Sequence, residues 1–135
     1  MRPTDQRLSG GRSPEGNIKL QLVEVFYMPA QTPDVREVVA SQTIEAIGQA
    51  IKDPAAPAGT TRLKLFRMQM TCCAADARPL AVPLEFDGPL PEYREMGWYK
   101  VTGKVEYRDE NGTSTAVIKA TKLETEKPPR NQMLF

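Results

Sequence analysis

Five strand-like runs, an Asn-Gly hairpin turn and proline-rich joints predict a mainly β domain from this 135-residue sequence. Five short strands in just over 100 residues suit a small OB-like Greek-key barrel with one short helix; a β-sandwich or split barrel is the alternative. The length allows one domain with one hydrophobic core. Apolar and charged fractions of 40% and 26% are ordinary for a globular chain, while 12 prolines favour short elements joined by rigid turns.

Residues 1–17 are rich in Arg, Ser, Gly and Pro, with Leu8 almost the only apolar side chain, and read as a disordered polar leader. A single barrel domain is expected over 18–127 and a C-terminal tail over 128–135. Residues 18–28 (IKLQLVEVFYM) alternate at Ile18, Leu20 and Leu22 and then become aromatic and β-branched, which favours a strand; helix competes from Leu22 onward. Thr32-Pro33-Asp34 is a helix start, since threonine caps and proline is tolerated in the first turn, and the short helix is placed over 33–40. In 41–52 (SQTIEAIGQAIK) a helical apolar stripe competes with a strand in which Gly48 marks a bend.

Residues 53–61 (DPAAPAGTT) read as a loop. The strand at 62–71 changes apolar phase between Leu65 and Phe66, which a bulge or strong coil there reconciles. Leu80, Val82, Leu84 and Phe86 alternate cleanly, and Pro83 confines their strand to an edge or an irregularity. Residues 91–97 (PEYREMG) suit one helical turn. Beyond them Tyr99, Val101, Gly103, Val105 and Tyr107 share one strand face, 109–112 (DENG) turns, and 113–123 returns. Gly103, like Gly48, is placed where a strand bends. Met133, Leu134 and Phe135 form an apolar end that docks on the barrel or meets a partner.

A formal charge of +1 with interspersed signs argues against a phosphate-backbone binder, so nucleic acid is a disfavoured partner. No run of about 20 apolar residues spans a membrane, the leader lacks the apolar core of a secretory signal, and adjacent cysteines are no disulfide framework. A soluble protein in a reducing, cytoplasmic setting is expected.

Chemistry concentrates in 66–88 (FRMQMTCCAADARPLAVPLEFDG), which holds both cysteines. Cys72, Cys73 and Asp76 offer two thiolates and a carboxylate, a candidate set for Zn or Cu(I). The chain has no histidine, so one copy does not complete an ordinary zinc site, and adjacent strand residues point to opposite faces. Met68, Met70 and Cys72 share a strand face that suits soft metals, yet plain core outweighs this reading. Arg78 lies close enough in sequence to lower the thiol pKa of Cys73. A Cys-His nucleophile pair is impossible, which removes the usual catalytic arrangement. Trp98, Tyr99 and Tyr93 beside Arg94 and Lys100 offer a base-stacking platform, against the plainer reading of Trp98 as core.

The run RMQMTCCAADARPLAVPLEFDGPL followed by MGWYKVTGKVEYR resembles the C-terminal domain of the YcgQ-like family, with its CCxADAxP segment and tryptophan strand. QTIEAIGQAI resembles that family's preceding strand, which decides 41–52 in favour of strand. The signature residues carried over are Cys72, Cys73, Ala75, Asp76, Ala77, Pro79, Trp98 and Gly103. The resemblance implies an OB-type barrel, an N-terminal membrane anchor and a permease partner; the polar leader departs from the anchor. The functional expectation is a non-enzymatic β-barrel binding module, a candidate partner of a permease, with metal binding through the cysteines as the alternative and single-strand binding third.

Overall fold

The computed structural model of the chain describes residues 11–54, 62–69, 78–110, 112–128 and 133–134. Its centre is a ring of five strands. Strand β2 (Thr43–Lys52) pairs antiparallel with β3 (Arg62–Gln69) and with β5 (Trp98–Glu110). From β3 the ring continues antiparallel to β4 (Arg78–Phe86), parallel to β6 (Thr113–Thr125), and antiparallel back to β5. The order β2-β3-β4-β6-β5, closed by β5 on β2 and containing one parallel pair, is that of an OB-like Greek-key barrel.

Strand alternation fills the ring. Ile44, Leu63, Leu65, Leu84, Val101 and Ile118 point inward and are fully buried. Two short helices preceding the barrel, α1 (Leu22–Phe26) and α2 (Pro33–Ala40), add Leu22, Val25, Val35 and Val39 to the same core. Each such side chain contributes about 1.5–3 kcal/mol by leaving water.

The segment 18–28 departs from the expected strand. Only β1 (Ile18–Lys19) is extended, lying parallel on β2, and α1 begins at Leu22. The reason is a change of period: Leu22, Val25 and Met28 recur every three residues and are all buried, and Glu24 accepts a hydrogen bond from the Gln21 amide at 2.8 Å. A 3-10 turn (Met28–Ala30) follows. Helix α2 spans the residues expected of it, and 43–52 is a strand, as expected.

A bulge is absent from β3, whose register with β4 runs unbroken through Leu65↔Val82 and Phe66↔Ala81. Both faces of this strand are covered, so the apolar phase change needs no extra residue. Gln49 pairs with Phe66 on one side and Trp98 on the other, which sets the two buried aromatics on the outer face of the barrel. Met68 shares that outer face and is half-buried, so it is not part of the barrel interior; Met70 and Cys72 lie outside the described residues. The irregularity falls instead between Thr102 and Gly103 in the β5–β6 ladder. A Cβ on Gly103 would stand 2.3 Å from the Lys119 carbonyl oxygen, so only glycine lets the strands approach here.

Residues 91–97 form no helical turn. Met96 takes a positive φ of 67° and donates its amide to the Ala50 carbonyl, while Ala50 donates to Gly97, so the backbone is stitched to β2. In the β5–β6 hairpin Glu110 lies opposite Thr113 and Gly112 has a φ of 79°, where the Asn-Gly turn is expected; Asn111 lies outside the described residues. Strand β4 meets β6 only from Leu84 to Phe86, and Pro79 and Pro83 fall on the stretch before that contact.

Part of each terminal segment joins the sheet. In 11–17, expected to lack fixed structure, the Ser13 amide donates to Asn17, and Lys19 donates to Gly11. Strand β7 (Met133–Leu134) lies parallel on β3 at Met68 and Gln69, so the C-terminal segment docks on the barrel.

Candidate functional site

One edge of β2 is covered unevenly. β1 pairs with it at Ile44 and Glu45, β3 at Gln49 to Lys52, and between those contacts the edge carries no paired strand among the described residues. A cavity of about 450 Å³ borders this stretch, floored by Leu20, Ala46 and Ile47. Its charged lining is balanced: Lys19, Arg67 and Lys100 against Glu15, Glu45 and Glu126.

Two of these charges are buried. Glu45 is 6% exposed; its Oε2 accepts from the Asn17 side-chain amide at 3.0 Å, and its carbonyl accepts from the Leu20 amide. The N-terminal turn is thereby tied to the barrel through a carboxylate that faces the cavity. Arg67 is 9% exposed, and its guanidinium carbon lies 5.5 Å from the centre of the Trp98 ring. That distance allows a cation–π contact, while burial pulls the Arg67 pKa down from its ordinary value. The guanidinium remains charged at physiological pH.

At the rim, Lys100 pairs with Glu124 at 3.8 Å. The Glu15 carboxyl is held below its ordinary pKa, first by its own backbone hydrogen bond, then by the Ser13 hydroxyl, with smaller help from Lys100 and Lys122. Chemically, the cavity lining combines a guanidinium, carboxylates, ammonium groups and apolar side chains.

A second charge cluster lies elsewhere on the barrel's outer face. Arg62 meets Asp53 at 3.4 Å and Glu85 at 3.9 Å; Glu85 also pairs with Arg108, and with Lys119 at 3.4 Å. The Arg108 hydrogen bond is the main reason that the Glu85 carboxyl sits below its ordinary pKa, against opposing desolvation. The same contact raises the pKa of Arg108. Here opposite charges contact one another directly, so the cluster fastens β3, β4, β5 and β6 together.

The residues singled out by sequence fall in different places. Cys72, Cys73 and Asp76, with Ala75 and Ala77, lie outside the described residues. Among the described residues, no three His, Cys, Asp or Glu side chains converge as for a metal ion. Arg78 and Pro79 are exposed at the start of β4, and Gly103 occupies the β5–β6 irregularity. Trp98 is buried beneath Arg67, and Tyr99, its strand neighbour, turns to the opposite face and accepts from the Arg94 amide at 2.7 Å. Both rings are covered, which favours the plainer reading of Trp98 as core over the stacking platform.

Asn17, Glu45 and Arg67 were not singled out by the sequence. The available signal was an acid between Ile44 and Ala46, and an arginine inside an apolar strand. Among the described residues, no helix is long and apolar enough to cross a membrane. Residues 27–135 match a family model described as the DUF1980 C-terminal domain, and no curated protein matches the chain. The matched span contains Glu45, Arg67, Trp98 and Lys100, whereas the cavity wall from Ser13 to Gln21 precedes it.

Proposed function

This chain belongs to the DUF1980 C-terminal domain family, and from that premise we propose that it is a ligand-binding module rather than an enzyme, serving a membrane permease. The observation that carries the binding reading is the cavity of about 450 Å³ beside β2, with buried Arg67 and Glu45 on its walls. Its size falls in the range of sites that enclose small molecules, and its few polar groups on an apolar floor suit orientation of a bound ligand. The permease as partner is supported by the resemblance of the CCAADARP segment and the tryptophan strand to the YcgQ-like family. A binding role also suits a histidine-free chain in which Glu45 is engaged by Asn17 and Arg67 rests on Trp98.

The test is ligand-observed NMR on the full chain with a defined mixture of amino acids, short peptides, sugars, organic acids and nucleosides. Wild type is compared with Ile47→Trp, which fills the cavity. We expect a subset of signals to be attenuated by wild type and not by the variant, with the compounds unchanged after prolonged incubation. Equal attenuation by both proteins, no attenuation at all, or conversion of a compound to product overturns the reading.

A further inference from the structure

We infer that a groove between β4 and β6 docks an extended, uncharged segment of a partner polypeptide, which adds to the edge of β6 as a further strand. The groove shares no lining residue with the β2 cavity, so this surface goes beyond the function proposed above and does not rest on it.

The groove exists because the two strands part. They pair in parallel only where Leu84 meets Ile118, Glu85 meets Lys119 and Phe86 meets Ala120. Ahead of that contact, residues 78–83 of β4 and 113–117 of β6 do not pair with each other, and the segment that runs from α1 into the 3-10 turn lies across the opening. There Phe26, Tyr27 and Pro29 border a cavity of about 240 Å³ together with Ala81, Ser114 and Ala116.

Backbone phase decides what β6 presents to this space. The Glu126 amide donates to the Trp98 carbonyl, so Trp98 and alternate residues of β5 through Glu110 turn their backbone groups toward β6, and Glu110 faces Thr113. Thr113 and Thr115 are thereby engaged with β5, while the amides and carbonyls of Ser114 and Ala116 point to the opposite edge. Among the described residues no backbone group pairs with them there. Proteins commonly blunt such an edge with charge or proline, and β4 carries Pro79 and Pro83 on the facing stretch. Residues 113–118 (TSTAVI) carry neither and are rich in β-branched side chains, so this border stays competent for strand addition.

Charge and shape then choose the occupant. No Lys, Arg, Asp or Glu lines the groove, in a chain where these make up 26% of residues, so a charged segment would lose water there without meeting an opposite charge. The volume falls below the roughly 300–1,000 Å³ of pockets that enclose small molecules, which suits a stretch of chain passing along a strand edge. Phe26 and Tyr27 are 42% and 49% exposed, and their rings meet edge to face at 4.9 Å, an apolar wall for one face of the added strand. Extended backbone supplies the alternating donors and acceptors that Ser114 and Ala116 require.

The probe is the blocked, uncharged peptide acetyl-Thr-Val-Thr-Val-Thr-amide, titrated into the full chain and followed by amide-resolved NMR. It should shift the Ser114 and Ala116 signals and, at saturation, slow the exchange of their amide hydrogens about ten-fold or more. An analogue N-methylated at every residue keeps the side chains without the amide donors, and one with Lys in place of both Val residues carries charge; each should bind about ten-fold more weakly. Ser114→Pro removes one outward amide and leaves the β5 ladder its bonds, so it should weaken binding, as should Tyr27→Ser, while Ile47→Trp should not. The comparison of analogues on wild type decides the matter even where a variant unfolds. Equal binding of the parent and N-methylated peptides overturns the inference, as does preference for the charged analogue or for a proline pentapeptide. So do shifts confined to other residues, absence of binding, or shifts of Ser114 and Ala116 that follow protein concentration alone, which would make a second copy the occupant.

Discussion

The barrel carries two clusters of opposite charge on its outside, and they are used differently. Around Glu85 the charges touch: Arg62, Arg108 and Lys119 all lie within ion-pair distance of one carboxylate. Around the β2 cavity, acids and bases are set about a space, with Glu45 held by an amide and Arg67 by an indole ring. The first cluster has satisfied its electrostatics internally and acts on stability. In the second, Glu45 and Arg67 each rest against a neutral neighbour while lining a cavity. Composition alone does not separate the two, because both mix arginine, lysine and glutamate.

That division is broken most easily at Asp53. Asp53→Ala removes a buried partner of Arg62, and urea unfolding should show a loss of about 2–3 kcal/mol, the low end of the scale for breaking a buried pair, because Glu85 remains 3.9 Å from Arg62. Arg67→Ala should cost about 2 kcal/mol through lost contact of its stem and guanidinium, with a change in the emission of Trp98, the sole tryptophan. Glu45→Gln keeps an acceptor for Asn17, so its cost should stay near 1 kcal/mol. A Glu45→Gln loss as large as that of Asp53→Ala would erase the distinction between the clusters.

Acid titration sharpens it further. The Glu85 carboxyl is lower in pKa when folded than its ordinary 4.5, so as pH falls through that value the unfolded chain takes up a proton that the folded chain refuses. Stability therefore declines below about pH 4.5, and Glu85→Gln should flatten that decline in a pH series of urea unfolding midpoints. The smallest effect is expected at the rim, where Lys100→Ala should change stability by less than about 0.5 kcal/mol, since its pair with Glu124 is solvated.

The sequence made the ring more legible than the cavity. Strand β6 and its turn are written locally, in β-branched residues after Asn-Gly, and α2 is written in Thr-Pro-Asp followed by valines. Helix α1 was obscured because Leu22 ends an alternating run and begins a three-residue spacing, so the same residue serves both periods. The phase change in β3 suggests a bulge that the strand does not have for a related reason: Leu65 and Phe66 are adjacent, both buried, and on opposite faces. Local pattern does not reveal that a strand's outside is covered. Trp98 and Gly103 were marked by resemblance, but Trp98 acquires its setting only when Arg67, 31 positions earlier, is brought over it. Asn17 and Glu45 are 28 positions apart, and neither belongs to a recognisable spacing.

The pairing of β4 with β6 carries a consequence for how the molecule is made. Leu84 finds Ile118, and Thr43 finds Lys104, only after the intervening chain exists, so the ring stays open while a nascent chain is still short of β6. During that interval β4 presents an unfinished border, the kind of surface on which neighbouring chains nucleate sheets. Pro79 and Pro83 lack the amide hydrogens that such growth requires, and they lie on the stretch that β6 never covers. The two prolines thus guard the barrel before it closes and continue to guard the same border afterwards.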